Sequence, residues 1–266
     1  MTTVSYRNFT GTAAENYERY FVPKIATPVS VALLEAAALQ PGERVLDVAC
    51  GTGLIARLAT EGVGSSGTVT GLDLSPDMIN VARAVSPPTV EWHVGDATSL
   101  PFADDAYDVV LCQMGLMFMQ DRHAAVAEMR RVTVAGGRVV VNTPGVIQPL
   151  FALMEQALVE HISADLGGFV HAVFSMHNPE DVASLLRDVG LVDVTAAAWT
   201  ATVNLGAPAE FLWQYIGLTP MAPYVAQASA RAQEAMERQV VESWQPFLRN
   251  GAISINLPMV VASGRA

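Results

Sequence analysis

The stretch Val45-Leu-Asp-Val-Ala-Cys-Gly-Thr-Gly53 predicts a buried strand that ends in a glycine loop. Short apolar runs with β-branched residues are typical of parallel strands that are covered on both faces. Glycines let a ligand approach the backbone closely, and the free N–H groups at the start of a helix attract negative charge. We therefore expect a ligand-binding loop between this strand and a helix over residues 54–61.

The chain alternates between predicted strands and helices as far as residue 144. Further strands are predicted at residues 68–72, 89–94, 107–112 and 138–142, and Ser75-Pro-Asp77 is a strong helix start. This pattern predicts an α/β fold, a doubly wound, mostly parallel seven-stranded sheet with helices on both faces. Two late strands, residues 191–203 and 252–262, complete the sheet, and we expect the first of them to be antiparallel. Pro258 in the second indicates an edge or bulge position.

We predict one domain over residues 1–266, with insertions at about 145–177 and 206–250 that form a helical cap. The first insertion follows the fifth strand and should emerge at the carboxyl edge of the sheet, where open α/β sheets bind ligands. The second follows the strand expected to be antiparallel, so it should begin at the opposite edge. It includes a single helix predicted over residues 224–244.

Composition narrows the functional classes. The 266 residues are 51% hydrophobic and 15% charged, and the net charge is −11, which argues against nucleic acid and anionic membrane surfaces as partners. We recognise neither a signal peptide nor a long apolar span, and expect a cytoplasmic protein without membrane insertion. Cys50 and Cys112 are interpreted as reduced core thiols, and no metal site is predicted.

The glycine loop by itself fits two kinds of cofactor. Gly51-Thr-Gly-Leu-Ile-Ala56 matches the dinucleotide fingerprint, and Asp73 follows Gly53 at the spacing of a ribose-binding acid, so a dinucleotide-dependent oxidoreductase is one alternative. A non-catalytic binding protein on the same fold is another. Asp47 instead favours a cofactor that carries a positive charge, because a carboxylate inside a buried strand is costly unless it meets a cationic ligand. Asp96, after the third strand, is well placed to accept a hydrogen bond from an adenine amino group.

Five segments in order resemble class I S-adenosylmethionine-dependent methyltransferases, within them the bacterial small-molecule group related to ubiquinone and menaquinone biosynthesis enzymes. They are Val45–Gly53, Gly71-Leu-Asp-Leu-Ser-Pro-Asp-Met78, Val94-Gly-Asp-Ala-Thr-Ser-Leu-Pro-Phe102, Tyr107-Asp-Val-Val-Leu-Cys112 and Arg130-Arg-Val-Thr-Val-Ala-Gly-Gly-Arg138. The resemblance implies S-adenosylmethionine as cofactor and S-adenosylhomocysteine as product.

The resemblance also implies a set of cofactor-binding residues, although it identifies no catalytic residue. Asp47, Ala49, Gly51 and Gly53 would hold the methionine part, Asp73 the ribose, Leu74 and Met78 the adenine ring, and Asp96 with Ala97 the adenine edge. Gln113 would lie near the sulfonium. Tyr17 and Tyr20 lie on an N-terminal helix that often covers the cofactor in this family, and Tyr20 is assigned to the cofactor site. Ala49 stands where many members have glycine, and alanine should be tolerated there if the residue keeps ordinary β angles.

The acceptor is predicted to be a small, hydrophobic molecule, methylated on O, C or S by direct in-line transfer. Met114, Met117, Phe118 and Met119 would form a flexible apolar wall for it. The sequence Gln113-Met-Gly-Leu116 does not match the Asn/Asp-Pro-Pro-Tyr motif of enzymes that methylate nucleobases. His161, His171 and His177 lie in the predicted cap, where a general base could reach an acceptor.

Overall fold

The computed structural model describes residues 12–266. Its sheet has the predicted mostly parallel architecture. The strands are β1 Arg44–Val48, β2 Thr68–Asp73, β3 Val90–Val94, β4 Tyr107–Gln113, β5 Thr133–Pro144, β6 Val192–Gly206, β7 Leu248–Arg249 and β8 Ala252–Arg265. Seven of them follow the order β3-β2-β1-β4-β5-β8-β6, and the two-residue β7 pairs with β8 outside this path. The sheet therefore has the seven strands predicted and one short addition.

Helices cover both faces of this sheet. They are α1 Thr12–Asn16, α2 Thr27–Ala37, α3 Leu54–Val63, α4 Pro76–Val85, α5 Arg122–Val132, α6 Pro149–His161, α7 Gly167–Val173, α8 Pro179–Asp188, α9 Pro208–Gly217, α10 Ala222–Gln227 and α11 Ala230–Ser243. A π-helix, Tyr17–Ala26, joins α1 to α2. Helices α2 and α3 pack on one face of the central strands, and α5 and α8 pack on the other. The predicted helix start is confirmed, because the Ser75 side chain accepts a hydrogen bond from the Met78 N–H.

The direction of β6 corrects one expectation. Strand β8 is antiparallel to β5, and β6 is antiparallel to β8, so β6 runs parallel to β5. The segment after β6 consequently begins at the carboxyl edge of the sheet, the same edge from which the segment after β5 emerges. The prediction of an opposite edge was wrong, because the chain returns through α8 before it enters β6 as a right-handed crossover would.

Strand β8 is internal, which corrects the edge position suggested by Pro258. The strand pairs with β5 on one side and with β6 on the other. The Pro258 carbonyl accepts a hydrogen bond from the Gly145 N–H, just past the last β5 pair at Pro144. Since a strand residue points its N and O to the same side, the proline nitrogen also faces Gly145, beyond the last β5 pair, so the missing N–H does not interrupt the pairing of β8 with β6.

The two segments inserted after β5 and β6 pack together. Residues 149–173 and 208–247, called the cap segments below, share one hydrophobic cluster with the π-helix and the outer halves of β6 and β8. The helix predicted over residues 224–244 is two helices, α10 and α11, because Ser229 caps α11 through the Ala232 N–H after the break at Ala228. In the described part of the chain, no helix has the length and apolar character needed to cross a membrane.

Candidate active site

The predicted cofactor residues lie at the carboxyl edge of neighbouring parallel strands. Asp47 is in β1, Asp73 ends β2, Asp96 follows β3, and Gln113 ends β4. Strands β1 and β4 are adjacent, although the chain passes through β2 and β3 between them. Such a reversal of strand order opens a crevice beyond the strand ends, and the loop after β1 lies there.

The loop after β1 has an unusual backbone. Ala49, Gly51 and Gly53 have φ angles of 56°, 55° and 85°, all in the left-handed region. Ala49 therefore does not meet the condition of ordinary β angles under which the sequence predicted that alanine would be tolerated. The turn from β1 towards α3 requires a left-handed residue at this position, and an alanine pays about 1–2 kcal/mol for it. Its methyl group packs beside Gly115, where an added Cβ would lie 2.7 Å from the Ala49 Cβ.

Asp73 ties this loop to the end of β2. Its Oδ2 accepts a hydrogen bond from the Gly51 N–H at 2.8 Å, and its Oδ1 accepts one from the Ser75 N–H at 2.9 Å. Burial raises the pKa of Asp73, and the backbone hydrogen bonds oppose that rise. Each carboxylate oxygen has a further lone pair, so this side chain can accept additional donors from a ligand.

Gly53 lies against an aromatic ring that the sequence analysis did not select. A Cβ on Gly53 would stand 2.3 Å from the Trp92 Cη2, and a Cβ on Gly71 would stand 2.3 Å from the Trp92 Cζ3. The ring of Trp92, a residue of β3, thus packs against the glycine loop. The requirement for glycine at position 53 is steric as well as conformational.

Asp47 is a buried carboxylate with one unused oxygen. Its side chain is 1% exposed, and Oδ2 accepts a hydrogen bond from the Ala56 N–H at 3.0 Å. Oδ1 has no hydrogen-bond partner among the described residues. Burial raises the pKa of Asp47 to about 8, assisted by the nearby Asp73 charge. A cationic group beside Oδ1 would reverse this effect by favouring the carboxylate.

A small cavity of about 300 Å³ opens at this point and is called the loop cavity. It is lined by Tyr17, Val22, Ala26, Asp47, Ala49, Cys50, Thr52, Leu54, Ile55 and Gln113. Three predicted residues, Asp47, Ala49 and Gln113, therefore line one space.

The remaining predicted residues surround the ends of β2 and β3 outside the loop cavity. Leu74 is 46% exposed, whereas the Met78 side chain is buried. The Asp96 Oδ1 accepts hydrogen bonds from the Thr98 N–H at 2.9 Å and the Thr98 hydroxyl at 2.8 Å. Ala97, beside Asp96, is buried. These residues form a second group along the strand ends.

Tyr17, rather than Tyr20, meets the glycine loop. A Cβ on Gly51 would lie 3.6 Å from the Tyr17 Cε1, and the Tyr17 ring stacks on Phe21 with centroids 4.7 Å apart. Burial, with the nearby Asp73 charge, raises the pKa of Tyr17. Tyr20 lines neither described cavity, and the Arg19 guanidinium lies 5.9 Å from its ring centroid. The π-helix explains the difference, because its wider turn changes which side chains share a face, and periodicity of 3.6 residues does not predict it.

An ion pair fixes the π-helix to the glycine loop. The Glu18 carboxylate accepts hydrogen bonds from the Arg57 guanidinium at 2.8 Å and from the Thr52 hydroxyl at 2.5 Å. Arg57 also donates to the Thr52 carbonyl at 2.7 Å. The sequence analysis missed this contact, since the three residues come from separate elements.

Gln113 is held by a second amide that the sequence analysis also missed. The Asn142 Nδ2 donates to the Gln113 Oε1 at 3.3 Å, and the Gln113 Nε2 donates to the Ala26 carbonyl at 3.2 Å. Asn142 is fully buried, and its Oδ1 accepts from the Met114 N–H at 3.0 Å. Adjacent ends of β4 and β5 are thereby fixed to the start of α2.

A larger, apolar cavity lies beyond Tyr17 and encloses about 630 Å³, its open mouth included. This apolar cavity is lined by Tyr17, Phe21, Ile25, Met114, Met117, Phe118, Pro144, Phe151, Phe169, Val173, Phe174, Tyr215, Leu218, Thr219 and Leu257. Met114, Met117 and Phe118 thus lie where the sequence predicted an apolar wall, whereas Met119 packs in a separate core cluster. Tyr17 lines both cavities and forms their common wall.

None of the three cap histidines lines the apolar cavity. His161 hydrogen-bonds the Gln239 side chain of α11, His171 is paired with Glu155 at 2.8 Å, and the His177 ring nitrogen bonds the Phe174 carbonyl at 2.9 Å. Their hydrogen bonds connect neighbouring elements of the cap segments and α8. The structure therefore places no predicted base beside this space.

Cys50 and Cys112 are buried, unpaired thiols. Burial raises the pKa of both, to about 12 for Cys112, so neither is a thiolate at neutral pH. Within residues 12–266, no cluster of three or more His, Cys, Asp or Glu side chains could hold a metal ion.

Comparisons with known proteins agree with this geometry. The family described as "Methyltransferase domain" matches residues 46–141. A demethylmenaquinone methyltransferase of Renibacterium salmoninarum is 34% identical over 176 residues, covering 61% of this chain and 72% of the relative.

Solved structures show the same fold at lower identity. A putative methyltransferase from an antibiotic biosynthesis pathway of Anabaena variabilis is 19% identical, with a TM-score of 0.62, covering 90% of this chain and 97% of that chain. A Haemonchus contortus phosphoethanolamine N-methyltransferase, bound to phosphomonomethylethanolamine and S-adenosylhomocysteine, is 19% identical, with a TM-score of 0.60, covering 98% of this chain and 60% of that one.

These matches do not favour a dinucleotide-dependent oxidoreductase or a non-catalytic protein. The chain belongs to the class I S-adenosylmethionine-dependent methyltransferases and resembles the enzymes of quinone biosynthesis.

Proposed function

We propose that this enzyme methylates a small, hydrophobic acceptor held in the apolar cavity, next to a cofactor held at the loop cavity. The observation that carries the proposal is the common wall, because Tyr17 lines both spaces. The relative in Renibacterium salmoninarum is named for demethylmenaquinone, a quinone, which supports an apolar acceptor. From that name we take only the class of acceptor, an apolar molecule, and we do not propose the same compound as the acceptor of this enzyme.

The residues around the glycine loop fit S-adenosylmethionine. The unused Oδ1 of Asp47 is buried beside the loop cavity, where an ammonium group would give it a partner. We assign Asp47, Ala49, Gly51 and Gly53 to the methionine part and Gln113 to the vicinity of the sulfur. We assign Asp73 to the ribose hydroxyls. Tyr17 takes the covering role that the sequence gave to Tyr20.

The adenine ring would lie along the ends of β2 and β3. Leu74, which is exposed, and Met78 would flank the ring. Asp96 would accept from the adenine amino group, with Ala97 beside it. Thr98 already donates to one Asp96 oxygen, which fixes the direction of the carboxylate.

The chemistry needs alignment more than it needs a base. When bound, the cofactor supplies a methyl carbon on a positively charged sulfur, which keeps the bonding electrons as the acceptor's lone pair attacks the carbon. The chain's part is to align the acceptor with that carbon and to exclude water, for which an apolar cavity beside the sulfur is suited. Because none of the described residues that line the apolar cavity carries a carboxylate or an imidazole, we expect the acceptor's proton to leave to solvent water.

The division into a cofactor site and an acceptor site also assigns a role to the segments inserted after β5 and β6. We propose one domain in which the insertions at about residues 145–177 and 206–250, which contain the cap segments, form the acceptor side. The enzyme would work in the cytoplasm on free small molecules, consistent with its buried free thiols, and its net charge of −11 disfavours nucleic acid.

Asp73→Ala tests the proposed function. The variant removes the acceptor of two backbone hydrogen bonds and the proposed ribose contact, and we expect roughly a 30-fold or greater loss of S-adenosylhomocysteine affinity by calorimetry. Methyl transfer from labelled S-adenosylmethionine to a panel of neutral apolar phenols and thiols should fall in parallel. Asp188→Ala, at an exposed carboxylate that ends α8, is the matched control and should change neither quantity.

Two results would contradict the proposal. One is unchanged S-adenosylhomocysteine affinity in the Asp73→Ala protein. The other is label transferred by the wild-type enzyme to charged amines and carboxylates but not to the apolar panel.

A further inference from the structure

The apolar cavity contains a small number of polar atoms. Among its lining side chains, oxygen occurs only as the hydroxyls of Tyr17, Tyr215 and Thr219, and none of the lining residues is charged. In a largely hydrophobic site, a few placed polar groups determine how a ligand is oriented. Tyr17 belongs to the wall shared with the loop cavity, which leaves Tyr215 and Thr219 on the cap side.

Tyr215 presents a hydroxyl that has no hydrogen-bond partner within residues 12–266. The side chain is 6% exposed, and its ring is held between Phe151 and Phe211 at centroid distances of 5.6 Å each. No described residue hydrogen-bonds its hydroxyl, so a molecule in the cavity that Tyr215 lines can be its partner. Burial raises the pKa of Tyr215, so the group is a hydrogen-bond donor at neutral pH.

Thr219 presents the complementary function. It is 5% exposed, and its hydroxyl donates to the Ile216 carbonyl at 2.9 Å. With its hydrogen used there, the oxygen can only accept a hydrogen bond from the cavity. The cap side thus offers one donor and one acceptor, both fixed by the end of α9 and the turn after it.

We propose that Tyr215 and Thr219 are specificity-determining residues, Tyr215 donating a hydrogen bond to an oxygen of the acceptor and Thr219 accepting one from an acceptor hydroxyl. The inference rests on the proposed function, because it takes the apolar cavity as the acceptor site. It selects neutral acceptors that carry oxygen over hydrocarbons of the same shape. A site with buried polar groups rejects a ligand that leaves them unpaired.

The pair also explains why a charged acceptor is disfavoured. A buried ion needs an opposite charge or several hydrogen bonds, and this wall supplies two hydroxyls. A neutral hydroxyl or carbonyl group needs only what Tyr215 and Thr219 provide.

Equilibrium dialysis with three probes of one shape tests this assignment. The probes are 2-naphthol, 2-methoxynaphthalene and naphthalene, and the proteins are wild type, Tyr215→Phe, Thr219→Val and the control Tyr224→Phe. Tyr224, on α10, packs at the same cluster without lining the cavity. Comparing affinity ratios between proteins cancels the different water solubilities of the probes.

We expect the affinity ratio of 2-naphthol to naphthalene to fall about fivefold in Tyr215→Phe, the effect of one hydrogen bond, and to stay unchanged in Tyr224→Phe. Thr219→Val should weaken 2-naphthol and leave 2-methoxynaphthalene unaffected, since the ether has no hydrogen to donate. An unchanged ratio in Tyr215→Phe, or an equal fall in Tyr224→Phe, would overturn the assignment.

Two checks keep the test decisive. Circular dichroism verifies each fold, and if Tyr215→Phe does not fold, the Thr219→Val comparison of 2-naphthol with its methyl ether decides the proposal. Calorimetry with S-adenosylhomocysteine on the same wild-type protein separates a failure of the proposed function from a failure of the roles assigned to Tyr215 and Thr219. Absent binding there would defeat the proposed function, whereas the probe ratios would still decide the roles of Tyr215 and Thr219.

Discussion

The loop cavity and the apolar cavity share a wall and differ in nearly everything else. The loop cavity is formed largely by the turn after β1, the end of β4 and the π-helix, and contains an acid with an unused oxygen. The apolar cavity gathers side chains from the π-helix, the β4 end, α6, α7, α9 and β8, and contains no charge. One space is lined by a buried acid with an unused oxygen, the other is lined by apolar side chains, and Tyr17 lines both.

Of the substitutions that should affect ligand binding in the two cavities differently, Gly53→Ala is expected to have the largest effect. Its Cβ would stand 2.3 Å from the Trp92 ring, at a backbone φ of 85°. We expect about 2–4 kcal/mol less stability by urea unfolding and a loss of S-adenosylhomocysteine binding, with naphthol binding retained where the protein is folded.

Gly251→Ala is the matched control for this substitution. Its φ is 81°, and nothing lies within 4 Å of an added Cβ, so it isolates the conformational cost of about 1–2 kcal/mol. Equal destabilisation of the two variants would show that Trp92 does not constrain the loop.

The same contrast explains what the sequence could predict. The motifs after β1, β2 and β3 are local, since each strand carries its own acid or glycine, and parallel strands bring their ends together. Hence the sequence alone predicts that Asp47, Asp73 and Asp96 lie at one edge of the sheet. The wall contributed by Met114, Met117 and Phe118 was also predicted, because it directly follows β4.

The missed features depend on contacts between distant segments. Tyr215 and Thr219 meet Met117 only after the cap segments fold over the sheet edge, and no spacing in the chain encodes that distance. The sequence places both Tyr17 and Tyr20 on the covering helix, and only the packing of the π-helix shows that Tyr17 meets the glycine loop. The direction of β6 was mistaken because a strand's orientation depends on its partner, β8, which comes last in the chain.

The smallest expected effect lies beside the common wall. Ala49→Gly removes a left-handed alanine at φ 56° and at the same time makes the unfolded chain more flexible. We expect the free energy of unfolding to rise by at most about 1 kcal/mol, with S-adenosylhomocysteine affinity changed less than about threefold. A loss of stability beyond about 1 kcal/mol would show that the Ala49 methyl group stabilises the loop through its contact near Gly115.

The buried carboxyl group of Asp47 makes both the stability of the protein and its ligand affinity depend on pH, in opposite directions. Its pKa is about 8 in the folded protein, so at pH 7 the side chain is mostly protonated. Because this pKa is raised from about 4, the ordinary value of an aspartate, the free energy of unfolding decreases as pH rises from about 4 to about 8. A bound ammonium group favours the carboxylate, so ligand affinity should rise with pH from about 6 and level off above 8.

Calorimetry of S-adenosylhomocysteine binding at pH 7, in buffers of different ionisation enthalpy, tests the central claim most directly. We predict that the wild-type protein releases close to one proton on binding, from Asp47 as it meets the ammonium group. Asp47→Asn should keep the Ala56 hydrogen bond, release almost no proton and bind about 100-fold more weakly. The same proton release and the same affinity in both proteins would contradict the account, because the loop cavity would then not hold a cation at Asp47.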